Sequence, residues 1–123
     1  MTYEDVVDLF VQEVPEFVPV WREHVADNGE LLPHVLFWHV TTFVLDAYER
    51  GDQELVDRCL DFLERALQST DVRVHELVGT SFVYSVGPWD PAVRDFIGTW
   101  PPLLREKAAR DGWQATEACE STC

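Results

Sequence analysis

Tyr3, Val6, Val7, Phe10 and Val14 recur at helical spacing up to Pro15, and Thr2 with Asp5 three residues on resembles a capping box. Together they predict a first helix over about residues 3–14. Phe17, Trp21 and Val25, four apart, predict a second, shorter helix that closes at Asp27-Asn28-Gly29 and is made irregular by Pro19. Pro33 suits a first helical position, and no breaker follows before Gly51, which predicts a third helix over residues 33–50. On a helical wheel Leu36, Val40, Phe43 and Ala47 form one stripe. Trp38, Thr41 and Leu45 fall opposite it, with Phe37, Val44 and Tyr48 to one side. A helix apolar on most of its circumference is packed on two sides, so this one should run through the middle of the domain or give one side to a partner.

Asp52 can cap a fourth helix whose broad apolar face is Leu55, Val56, Cys59, Phe62, Leu63 and Leu67, with Asp57, Asp61 and Glu64 forming a separate acidic stripe. Asp71 can cap a fifth over about residues 72–86, with an inner stripe of Val74, Val78, Ser81 and Ser85 that ends at Gly87-Pro88. Pro91 opens a short sixth helix with Val93, Phe96 and Ile97. Gly98 and Trp100-Pro101-Pro102 then break the chain before a last helix near residues 103–111. No alternating strand pattern flanked by hairpin turns occurs. The prediction is an all-α bundle of six to seven helices, with residues 1–112 as one domain and residues 113–123 as a mobile tail.

The start of the fifth helix, Asp71-Val72-Arg73-Val74-His75, resembles helix starts in HEAT-type repeats, over a stretch of residues 33–97. That resemblance implies antiparallel helix pairs. Leu32-Pro33-His34-Val35-Leu36-Phe37, Gly51-Asp52, Cys59-Leu60-Asp61-Phe62-Leu63-Glu64 and Phe82-Val83 resemble small bacterial helical proteins, some of which are suspected to act as immunity proteins beside toxins. The resemblance implies no particular functional residue.

Charge changes the picture most. The 23 Asp and Glu against 9 Lys and Arg give −14 over 123 residues, on a chain that is 46% hydrophobic. This is a folded domain with a negative surface, because a disordered acidic segment would lack the apolar half. Such a field repels nucleic acid and anionic lipid and attracts basic proteins. Residues 1–30 carry Glu4, Asp5, Asp8, Glu13, Glu16, Glu23, Asp27 and Glu30 against Arg22 alone. No apolar run approaches the ~20 residues of a membrane span, and no signal-peptide pattern opens the chain. Three cysteines, Cys59 on an apolar helix face and the Cys119 and Cys123 pair near the end, are easiest to reconcile with a reducing cytoplasm.

Chemistry-bearing motifs are few. His34 and His39 are five apart, about 140° round a helix, where two ligands of one metal need a spacing of three or four. His39 reads as a hydrogen-bonded, half-buried side chain, His24 as exposed, and His75 as part of a solvated helix start. Cys119 and Cys123 would supply only two of the four ligands of a zinc site, and they read as two free thiols on the mobile tail. With no Gly-rich phosphate loop and no Gly-x-Ser-x-Gly elbow, neither an enzyme nor a cofactor or metal is expected. The five tryptophans carry more signal, because tryptophan dominates binding hot spots. The reading that follows is a cytoplasmic interaction protein, an immunity or antitoxin-like inhibitor of a basic toxin domain. Trp38, Asp57, Asp61, Glu64 and Trp89 are its expected partner-binding residues. The alternative is a HEAT-like scaffold without inhibitory activity.

Overall fold

The computed structural model describes residues 1–114. Among them no strand occurs, and the chain folds as α1 (Val6–Glu13), a 3-10 turn (Pro15–Phe17), α2 (Val18–Asn28), α3 (Pro33–Glu49) and α4 (Gln53–Ala66). Then come α5 (Val72–Glu76), a π-helical segment (Leu77–Val83) and α6 (Tyr84–Val86), which run on as one continuous helix. A second 3-10 turn (Pro91–Val93), α7 (Arg94–Gly98) and α8 (Pro102–Arg110) complete it. With the continuous helix counted once, seven helices among the described residues form the all-α bundle that the pattern predicts.

Where helices start and stop follows from local chemistry. Asp5 accepts the Thr2 N–H at 2.7 Å, half of the expected capping box. Tyr3, however, gives its N–H to Asp71 at 2.9 Å, so the chain is tied to the start of α5 and α1 begins only at Val6. Pro19 lies in the first turn of α2, where its missing N–H has no helical partner to lose, and it causes no irregularity. Past α3, Gly51 takes a left-handed φ of 78°. Its N–H bonds the Tyr48 carbonyl and the Asp52 N–H bonds that of Ala47, the double closure of a Schellman motif. Asp52 then accepts the Leu55 N–H and opens α4 at once, which folds α3 and α4 into an antiparallel pair.

Helix α3 is central. It packs against α4 on one side and the π-helical segment on another, and it also meets α2 and α6. The first and last described helices close over α4, because α1 and α8 both pack on it, whereas a solenoid keeps its contacts between sequential neighbours. Phe10 joins the first half of the core, with its ring 5.3 Å from Phe17, 5.2 Å from Phe62 and 6.2 Å from Phe37. Trp100 joins the second, 5.5 Å from Phe82 and 5.6 Å from Phe96. Cys59 is fully buried, and desolvation pushes its thiol up to about 12, so it acts as a small hydrophobe.

The π-helical segment corrects the expected face of the fifth helix. Val74, Val78 and Ser81 point inward as the 3.6-residue period requires, but Ser85 is exposed and Val86 is buried. A π turn holds one residue more than an α turn, and this moves the inner stripe on by one position. At the other end, the half-buried Trp113 packs on the core and donates its indole N–H to the Arg94 carbonyl at 3.2 Å. The docked chain therefore reaches past residue 112. Cys119 and Cys123 lie outside the described residues.

Candidate functional site

Most of the acidic stripe of α4 is already occupied. Asp61 pairs with Arg65, which also binds Glu13. Arg58 lies between Glu54 and Glu16 and reaches the Glu13 carbonyl at 3.2 Å. The Arg58 guanidinium holds the Glu16 carboxyl below the usual carboxylate range. These pairs fasten the end of α1 and the 3-10 turn to α4, each contributing little on its own because solvent screens it. Asp57 stays exposed and accepts a hydrogen bond from Gln53 at 2.8 Å.

Glu64 has a different task from the one expected of it. Helix α8 opens on Pro101-Pro102, neither of which has an N–H, so its first free donors belong to Leu103 and Leu104. The two oxygens of Glu64 accept these donors at 3.0 Å each, placing a negative charge at the positive end of the helix. Glu64 is the cap of α8 and is withdrawn from the acidic surface. Glu64→Ala should cost about 1–2 kcal/mol, read from urea unfolding at a neutral pH. A cost near zero would mean that water caps α8 equally well.

Pairing also thins the acidic N-terminal thirty residues. Arg73 binds Glu4 and Asp71 at 2.8 and 2.9 Å. That guanidinium, together with the Tyr3 N–H, holds the Asp71 carboxyl at about 2. Among the described residues, Glu23 and Asp27 on α2 and Glu30 just beyond it form no ion pair and are exposed. Among the described residues the free negative charge of this region is therefore divided between Asp5 and Asp8 at the start of α1 and Glu23, Asp27 and Glu30 on and just past α2, where the exposed Arg22 is unpaired as well.

Helix α2 and the 3-10 turn before it are held against α3 by ring contacts, Phe17 of the turn on Phe43 at 5.3 Å and His24 of α2 near His39 at 6.0 Å. On the other flank of α3, His34 Nδ1 lies 2.7 Å from the Ser81 hydroxyl, and the Thr41 hydroxyl donates to the Ser81 carbonyl at 3.2 Å. Thr41, opposite the Leu36 stripe on the wheel, is thus buried beneath the 72–86 helix. Between these flanks the outward strip of α3 carries Trp38, Thr42, Leu45 and Glu49, at the spacing of one helical face. Trp38 is 54% exposed. Phe43, expected in the core, is half-buried against Phe17. Two histidines are exchanged relative to expectation, since His39 is exposed and His24 is buried.

Trp89 is equally exposed and lies against Tyr84, with ring centroids 4.9 Å apart. Tyr84 forms one end of an open groove of about 510 Å³ between the 72–86 helix and α8, where Val72, His75 and Gly79 face Lys107 and Arg110. The groove charges are mixed, because Glu76 and Asp111 also line it and Arg110 pairs with Glu106. His75 gives its Nε2–H to the Ser69 carbonyl. Only the π-helical segment, common where helices carry function, places Gly79 and Thr80 on this groove, and no residue motif announces it. Among the described residues no cluster of three metal-ligating side chains occurs, and no helix is long and apolar enough to cross a membrane.

Fold and surface together define a small all-α domain with a negative surface and two exposed tryptophans, one on α3 and one in the turn after α6. The chain belongs to the family described as Domain of unknown function (DUF7674), whose model matches residues 7–114. Comparison with curated proteins finds no match, and comparison with solved structures finds none.

Proposed function

We propose that this domain is an acidic protein-binding module, and in its most concrete form an immunity or antitoxin-like inhibitor that covers a basic toxin domain in the cytoplasm. The observation that carries the reading is Trp38. An indole more than half exposed in mid-helix contributes little to the fold, yet a large aromatic becomes a strong anchor once a partner desolvates it. Its helix lies against α2, whose Glu23 and Asp27 have no ion pair among the described residues. Long-range attraction by such charges would steer a basic partner, and the aromatic would then hold it.

The test is to capture the partner with tagged protein from the native cell and to measure association as salt is varied. The captured protein should be basic, and its on-rate should fall by about tenfold from low to physiological salt. It should also poison cells unless this domain is co-expressed, because a specific inhibitor rescues from one cognate toxin and not from unrelated ones. A salt-independent on-rate would remove steering as the purpose of the charge, and a harmless partner would remove the toxin reading.

A further inference from the structure

We propose that His24 is a proton-operated latch between α2 and the start of α3: the neutral ring holds the connecting segment closed, and a proton on it lets that segment go. His24 sits in the last turns of α2 with 3% of its surface exposed. Its Nε2 receives the backbone N–H of Leu32 at 3.0 Å, and the Asn28 amide nitrogen lies 3.3 Å from Nδ1. Both neighbours are donors. A neutral imidazole accepts at one nitrogen, and the backbone N–H, which cannot reverse its role, decides that this is Nε2. An imidazolium accepts at neither, so protonation turns the Leu32 contact from a hydrogen bond into two opposed N–H groups.

The charged surroundings do not rescue the cation. The titratable groups facing the ring are His39 from α3 and Asp27 from α2 itself. Burial is the main influence and His39 adds to it, so the ring's pKa lies below its ordinary 6.5 despite Asp27. The sign follows from linkage. The open segment leaves His24 with its ordinary pKa and binds a proton more readily than the closed one. The latch is therefore fully closed above pH 6.5 and weakens as pH falls towards the ring's lowered value. The closed-to-open ratio falls between 6.5 and that lowered value and levels off below it, the total fall being set by how far closure lowers the ring's pKa. The segment set free, residues 29–32, carries Glu30 and the partly exposed Leu31 and leads directly into the helix that bears Trp38.

The experiment is proton-detected magnetic resonance on the whole chain from pH 8 to pH 5, following the His24 ring and the exchange protection of individual amides, corrected for the intrinsic pH dependence of exchange. The expected result is a His24 titration below 6.5, with Leu32 N–H protection lost in step with that titration while amides of α4 keep theirs. His24→Gln, whose side-chain oxygen can accept the Leu32 N–H but does not titrate, should keep that protection at every pH in the range. Should the variant fail to fold, the comparison of Leu32 with α4 in the wild-type chain decides alone. Leu32 protection that ignores the His24 titration, or its loss together with the α4 amides in one global transition, would overturn the latch.

Discussion

Phe10→Ala is expected to cost about 3–5 kcal/mol of folding stability, the largest single loss among truncations of this core. Phe10 is 1% exposed, and its ring meets Phe17 after α1, Phe37 on α3 and Phe62 on α4. The truncation therefore opens a cavity where three elements converge, and each neighbouring ring is itself braced by backbone that cannot readily collapse into the space. A domain of this kind holds roughly 5–15 kcal/mol in total, so the measurement by urea unfolding needs a gentler companion. Phe10→Leu keeps most of the volume and should lose less. Phe43→Ala, on the side of α3 where a solvent-exposed edge remains, should cost only about 1–2 kcal/mol. An equal loss at Phe10 and Phe43, with an unchanged denaturant slope, would show that the aromatic junction does not centre on Phe10.

That contrast also shows what the residue pattern can and cannot reveal. Punctuation was readable: Gly51 before Asp52, and Asp71 before Val72, act through neighbours in sequence, and the structure uses them as helix stop and caps. The centrality of α3 was readable from its two-sided apolar surface, whereas that surface left open whether Trp38 faces solvent or a second core layer. The burial of Thr41 and the partial exposure of Phe43 were not, because the direction from which the 72–86 helix and α2 approach is set by contacts far along the chain. Glu64 was illegible for the same reason. Its reading as part of a solvated stripe was sound until Pro101-Pro102, nearly forty residues on, brought two donors without rivals to its oxygens. The π-helical segment is a change of hydrogen-bond register, and residues such as Gly79 and Thr80 do not encode it visibly. Of the five expected partner-binding residues, Trp38, Asp57, Asp61 and Trp89 are exposed, with Asp61 already paired, while Glu64 is committed to the fold.

Trp38→Ala and Trp89→Ala form the pair that locates a binding face. If the outward strip of α3 is the interface, Trp38→Ala should weaken the complex about 30-fold, equivalent to ~2 kcal/mol, mostly through faster dissociation. The melting temperature should move by only about 2 °C, since a half-exposed indole has little packing to lose. Trp89→Ala should leave affinity nearly unchanged, although it uncovers one face of Tyr84. The two substitutions lie on α3 and in the turn after α6, with no shared neighbour in the ring contacts, so their effects should add. The reverse outcome, with affinity lost at Trp89 and kept at Trp38, would move the interface to the groove between the 72–86 helix and α8. There Lys107 and Arg110 would meet a partner of mixed charge, and the salt dependence expected of an acidic face would shrink with it.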